Sequence, residues 1–299
     1  MKSKWIVLGV VLVAGMLVLG MLILGAMSAI GRGMGMGFGT SGRGVTVVVP
    51  STEFSWNMRD GIPGSGDVVT EDVPVRDFDS VAMAGIGDVI VTQGETESLT
   101  IETDDNILPY IAAQVRNGTL VIGLSDEADD KSLDPTRLVF HVSMKDVAGL
   151  DVSGAGNIVA ESIDTDDLKI DISGAGDIDV DALTSERLTV DLNGAGAISV
   201  DALDAEQATL HLNGASDVTL AGKVDRQEVY LNGAGNYRCG ELESQTAHVE
   251  VAGAGNVVVW ATETLEAHLY GVGNVRYYGD PYTRINRAGL GTVLSMGDR

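Results

Sequence analysis

Beyond residue 150 the chain alternates apolar and polar positions in short runs. Each pair of runs brackets a Gly-Ala-Gly or a close variant, as in "DVSGAGNIVA", "DISGAGDIDV" and "DLNGAGAISV". Such motifs begin at Gly85, Gly154, Gly174, Gly194, Gly214, Gly233, Gly253, Gly271 and Gly289, and from Gly154 onward they recur at steps of 18 to 20 residues. Two positions before the first glycine stand Val152, Ile172, Leu192, Leu212, Leu231, Val251 and Leu269; four before it stand Leu150, Ile170, Val190, Leu210, Val229, Val249 and Ala267. Four after it stand Ile158, Ile178, Ile198, Val218, Tyr237, Val257 and Val275, and six after it Ala160, Val180, Val200, Leu220, Cys239, Val259 and Tyr277. The positions between are mostly polar or acidic. Each repeat therefore predicts two short strands of period two, one on either side of the glycines, each with one apolar face.

A repeat of this length cannot bury its apolar face alone. It can if each copy coils once and stacks on the next, so that equivalent side chains lie about 4.8 Å apart along one axis. The prediction is an all-β fold whose regular part is a right-handed parallel β-helix, or β-solenoid, with about 20 residues per rung; right-handed coiling is the default for parallel crossovers. A propeller blade would need about 40 residues and four strands. A sandwich gives strands at similar spacing but no equivalent side chains recurring in step. On this reading the glycines are architecture: corners where the backbone turns sharply, stacks closely and tolerates positive φ. A phosphate-cradling loop would need a helix after the glycines, whereas "NIVA", "DIDV" and "AISV" are strands. Cys239, the only cysteine, falls between Leu220 and Val259 in its column, which predicts a buried, unreactive thiol.

Ahead of the regular part the period lapses, with 69 residues from Gly85 to Gly154. Within that gap "SLTIET", "GTLVIGL" and "RLVFHVSM" still read as strands. "DDNILPYIAAQV" predicts a short helical turn with an Asp or Asn cap, kept short by Pro109, and "SDEADDKSLDP" an exposed loop. Residues 71–150 are expected to form an irregular β part that caps the solenoid, and residues 151–299 the regular repeats with a C-terminal cap.

The first thirty residues carry a different signal. Trp5 to Ile30 runs for 26 residues without a charge, enough to cross a bilayer core of roughly 30 Å. It is longer than the about 7–15 apolar residues of a secretory signal. Lys2 and Lys4 before it favour a cytoplasmic N-terminus. The expectation for residues 1–30 is a single-pass transmembrane anchor at the cell membrane with the main domain extracytoplasmic; a signal cleaved near Ala26-Met27-Ser28 is the alternative. Residues 31–70, opening "GRGMGMGFGTSGRGV", are Gly-rich without periodicity and predict a tether.

Composition and charge narrow the function. Of 19 basic residues, Lys2, Lys4, Arg32 and Arg43 precede residue 50, and all 43 acidic residues follow it. So acidic a domain repels nucleic acid, which is excluded as a partner. Aromatic residues make up only 5% of the chain, which suits many thin similar layers better than one thick core.

The candidate chemistry is sparse. The histidines are His141, His211, His248 and His268. His211 and His268 share the column three before the glycine but lie three rungs apart, about 14 Å, while His248 stands five before its glycine. This spacing predicts no metal-binding or catalytic pair, no catalytic residue and no cofactor. The column three before the glycine holds Asp151, Asp171 and Asp191 on consecutive rungs, then His211, Tyr230, Glu250 and His268. Stacked carboxylates repel each other and could share a cation, but a solvated acidic face accounts for them, and no metal site is assigned. Asn157, Asp177, Asp217, Asn236, Asn256 and Asn274, three after the glycine, read as a structural column bonding to neighbouring backbone.

The stretch "FDSVAMAGIGDVIVTQGETESLTIETDDNILPYIAAQVRNGTLVIGL", followed by "SGAGNI"-like motifs, resembles the auto-transporter adhesin, head GIN domain family over roughly residues 75 to 280. The shared features are an F-x-x-V opening before G-x-G-D-V, a Q-G-x-x-x-S-L hairpin, an N-G-T-L strand and the Gly-Ala-Gly repeats. The resemblance implies an extracytoplasmic β-helical domain of bacterial envelopes, with no catalytic residues to carry over. The expected function is a membrane-anchored binding or adhesion domain that is not an enzyme, with a surface glycan or an envelope protein as partner and homo-oligomers open. The alternatives are a carbohydrate-active β-helix enzyme and a purely structural or envelope-sensing spacer.

Overall fold

The structure, a computed structural model, describes residues 61–128 and 131–299 in full, and of the earlier chain the backbone of three strands between residues 37 and 55. It divides into two units at residue 60. In the first, Gly37–Ser41, Gly44–Val49 and Thr52–Ser55 form an antiparallel meander. These strands fall within the interval expected as a tether. The apolar segment 1–30 lies outside the described residues. Among the described residues no helix is long and apolar enough to cross a membrane.

The second unit is a β-solenoid of about seven turns with about 20 residues per turn. Ala155–Ile172, Ile178–Leu192, Ala195–Leu212, Ala215–Leu231, Ala234–Val251 and Ala254–Leu269 each wrap around most of a coil and pair in parallel with the next. Their register is the sequence period itself: Ile158 faces Ile178, which faces Ile198. The column two before the glycine, from Val152 to Leu269, is wholly shielded from solvent, as is the column four after it. A third inward wall was not singled out in the sequence. It is built by Ile163, Leu183 and Leu203 and by Leu168, Leu188 and Ala208, so each coil has three apolar sides rather than two. Every inward side chain packs on its equivalents above and below, which keeps the core dense without large aromatics.

The corners explain the glycines, with one correction. Of the paired corner glycines only Gly87 has positive φ, so conformational freedom is not what the others supply. Close approach is. A Cβ on Gly174 would lie 2.1 Å from the Gly154 carbonyl oxygen, and one on Gly194 would lie 2.0 Å from that of Gly174. Ser216 is a substituted second corner position, and its buried hydroxyl has no hydrogen-bond partner.

The irregular N-terminal part is the end of the same stack, laid down out of order. Val81 and Val89 occupy the inward columns opposite Leu150 and Ile158, so Ser80–Met83 and Ile86–Gln93 form a coil. Outside it stacks a coil from later in the chain, Thr119–Leu124 and Leu138–Met144. Antiparallel strands then close the exposed edges: Ile111–Arg116 on the first, Ser98–Asp104 on the second, and Val68–Val73 beyond that. The turn Leu108–Tyr110 forms where expected, but its capping residue is Ile107, with no side-chain cap. The Q-G-x-x-x-S-L segment is not a hairpin, because Leu138–Met144 lies between its two strands and pairs with both. At this end the buried Asp104 accepts bonds from the Gly66 and Thr136 amides, both 2.8 Å, and from the Thr136 hydroxyl. At the other end, Tyr282–Arg287 and Leu290–Ser295 are the last strands, with Tyr282 and Leu290 exposed.

Candidate functional site

Because side chains alternate in and out along each strand, stacking coils also aligns the outward residues into columns. These columns form the surface on which any function must be built. Several of them are ordered by side-chain interactions.

The first lies three after the glycine and is a ladder. Asn157 donates to Asp88, Asn236 to Asp217, Asn256 to Asn236 and Asn274 to Asn256, at 2.9–3.2 Å. Asn157 and Asp177 also accept from the amides of Asp177 and Ala197. The structural reading of this column therefore holds, with more side-chain bonding than backbone bonding. A second ladder, unanticipated, joins Asn193, Asn213 and Asn232 beside the corner.

The second column is that of Asp151, Asp171 and Asp191, which do stand in register. Sequence reasoning overlooked Lys169, in the adjacent outward column. Its Nζ lies 3.5 Å from Asp171 and 3.3 Å from Asp191. The ammonium thus takes the place that a shared metal ion would have filled, and the Asp191 and Asp171 carboxylates hold its pKa above the ordinary lysine value. Asp151, beyond the reach of a direct bond to Lys169, is pushed above the usual carboxylate range by partial burial and then by the Asp171 charge.

Further along, that same column corrects the expectation that the histidines stand apart. Adjacent coils place Glu250 opposite His268, and His248 opposite Glu266. Columns three and five before the glycine are neighbours on one face, so His248 and His268 meet diagonally, with ring centroids 5.6 Å apart. The row continues through Tyr230 to His211, stacked at 5.0 Å, and ends at Tyr270. His141 is elsewhere, near Glu102. Cys239 is buried as expected, its thiol pushed up to about 12 by desolvation, which makes it no nucleophile.

Concavities are shallow. One is lined by Asp164, Asp166, Glu186, Asp204, Glu206 and Asp225 with hydroxyl side chains between them and no aromatic residue, and Arg187 pairs with Glu186 at its edge, 3.6 Å away.

Coil register, stacked corners and a capped N-terminal end define the class: a parallel β-solenoid built on a twenty-residue Gly-x-Gly repeat. The chain belongs to the family described as "Putative auto-transporter adhesin, head GIN domain", whose profile matches residues 77–201 and 181–281. Comparison with curated proteins gives no match. Among solved structures, the chain is similar to a "putative lipid binding protein" from Parabacteroides distasonis at 21% identity and TM-score 0.71, covering 79% of this chain and 99% of that one. It is also similar to a "putative adhesin" from Bacteroides fragilis at 25% identity and TM-score 0.61, covering 79% and 100%. A third, a "putative adhesin" from Parabacteroides merdae, shows 22% identity and TM-score 0.70, covering 79% and 99%.

Proposed function

We propose that this chain is an extracytoplasmic binding domain without catalysis, held at the cell membrane by residues 5–30 with the N-terminus cytoplasmic, and coiled right-handedly. The observation that carries this reading is the independence of the outward face from the core. The apolar core is built by the inward columns, which leaves an in-register array of outward polar side chains for a partner to meet. The names given to similar structures, adhesin and lipid binding protein, point to binding rather than turnover. The acidic concavity offers no aromatic platform for a sugar, and Arg187 at its edge is already paired with Asp167 and Glu186, so it suits a cationic patch on an envelope protein better than it suits glycan cleavage.

The test takes the full chain in mild detergent against arrayed glycans and extracted envelope proteins. The expected result is saturable, salt-weakened binding that is lost when Asp204 and Glu206 are both changed to Lys. Parallel protease treatment of intact cells should digest the solenoid from outside. Surface exposure without any saturable partner would replace this reading with a structural spacer, and release of cleaved sugar would replace it with an enzyme.

A further inference from the structure

We propose that His248, Glu266 and His268 form a binding site for one divalent transition-metal ion of the zinc class. The three residues come from two adjacent parallel strands, Ala234–Val251 and Ala254–Leu269, which fix their positions through backbone register. His248 stands directly opposite Glu266, and His268 lies two residues further along on the same face. One ligand atom from each of the three falls within 4.8 Å of the other two.

The distances match what such an ion requires. Zinc–nitrogen and zinc–oxygen bonds of about 2.0–2.2 Å at tetrahedral angles put ligand atoms roughly 3.3 Å apart. Glu266 Oε1 lies 3.0 Å from His268 Nε2, and Glu266 Oε2 lies 3.7 Å from His248 Nδ1. The two contacts use different oxygens of the one carboxylate, so an ion between the imidazoles would be held by both Glu266 oxygens, or by one after a small rotation of the carboxylate, with one ligand atom of each residue already within 4.8 Å of the others. The side chains are 30%, 35% and 21% exposed for His248, Glu266 and His268, so the ligands are partly shielded while one side remains open to solvent.

The surroundings also fit. His268 Nδ1 lies 3.2 Å from the Tyr270 hydroxyl, an outer partner that leaves Nε2 directed at Glu266 for coordination. His248 lies between Tyr230 and His268 with its ring tilted against both, at centroid distances of 5.6 Å. Glu228 faces His248 across the strands and Glu250 faces His268, so the field at the site favours a dication. The resident competitor is Arg284, 3.8 Å from Glu266 Oε1 and 78% exposed, which can swing into solvent when an ion enters. Two imidazole nitrogens select zinc, nickel, cobalt or copper over the oxygen-seeking calcium and magnesium. Three protein ligands leave at least one position for water or for a donor group of a bound partner.

The experiment is isothermal titration of the full chain in mild detergent with Zn²⁺, repeated with Ca²⁺, alongside His248→Ala, His268→Ala, Glu266→Gln and the control His141→Ala. The expected result is one Zn²⁺ per chain, unaffected by His141→Ala and weakened about tenfold or more in each of the other three variants. These side chains point outward, and metal-free melting of each variant checks that the fold is intact. Cu²⁺ gives a second readout, since electron paramagnetic resonance should show two coordinating nitrogens in the parent and one in His268→Ala. Zn²⁺ binding of equal strength in the parent and all folded variants, or Ca²⁺ bound as tightly as Zn²⁺, would overturn the proposal and assign the ion to diffuse acidic surface.

Discussion

A single methyl group at a corner should cost more than its size suggests. In Gly194→Ala the new Cβ would stand 2.0 Å from the Gly174 carbonyl oxygen, whereas real Cβ atoms essentially never approach closer than 3.0 Å. Backbone cannot rotate away as a side chain would, so the two coils must part at that corner. Of the hydrogen bonds that close it, three are donated at and beside the new methyl: Asn193 and Gly194 donate to the Ile172 carbonyl at 2.8 and 2.9 Å, and Ala195 donates to Gly174 at 3.0 Å. At a net of about 1 kcal/mol each, their loss costs about 3 kcal/mol. Alanine's lower unfolded-state entropy returns about 0.4–1 kcal/mol, which leaves a net loss of about 2 kcal/mol. For a domain of this size that lowers the melting temperature by about 4–8 °C. The control is Gly94→Ala, where a Cβ would find nothing nearer than 3.9 Å and stability should hold or rise slightly. Thermal and urea unfolding of the full chain, followed by circular dichroism, reads both. If Gly194→Ala and Gly94→Ala melted together, close stacking would not be the reason for the corner glycines.

Four further outcomes follow from the charges and the thiol. Asp151 has a raised folded pKa, so its ionisation opposes folding as pH rises through and beyond the unfolded carboxylate value near 3.9; Asp151→Asn should melt higher than the parent at pH 7 and alike at pH 3. Asp104 has a lowered folded pKa, chiefly through the Thr136 hydroxyl, so its contribution is present above the unfolded value and lost as pH falls through the folded one. Asp104→Asn should therefore destabilise at pH 7 and progressively less as pH falls below the unfolded value near 3.9, and parallel melting curves for these two variants would show that the signs are wrong. Lys169→Ala should lower stability slightly at neutral pH and make melting respond to Ca²⁺, because the ammonium no longer holds the Asp171–Asp191 gap; an equal response in the parent would place the cation elsewhere. Cys239 should remain unlabelled by thiol reagents in the folded protein and react only on unfolding, as mass spectrometry would record.

The regular coils were readable because burial imposes the period. A position that must be apolar in every coil, such as the column of Ile172 and Leu192, repeats in the sequence wherever the coil repeats in space. The cap was not readable for the converse reason. Strands such as Ser98–Asp104 pair with whichever edge is open, and nothing periodic marks Leu138–Met144 as lying outside residues that precede it. The histidine row was missed through counting along columns only. His248 and His268 occupy different columns, yet a step of one strand and two residues brings their rings together. Lys169 escaped notice in the same way, since its partners Asp171 and Asp191 stand one column over.

The out-of-order N-terminal coil has a consequence for how such a protein changes length over evolutionary time. Residues 80–93 are enclosed on both sides, by Thr119–Leu124 and Leu138–Met144 above and by the coil beginning at Gly149 below. A duplicated segment cannot be inserted there without unthreading the cap. Between Gly154 and Gly194, by contrast, where the coils pair without a shift of register, each coil presents the same inward columns and the same corner to both neighbours. Copying or deleting one whole repeat then lengthens or shortens the domain by about 4.8 Å while every remaining contact keeps an equivalent partner. The permitted lengths form a discrete series, and the gene can move along it by unequal recombination between near-identical repeats such as "DISGAGDIDV" and "DLNGAGAISV".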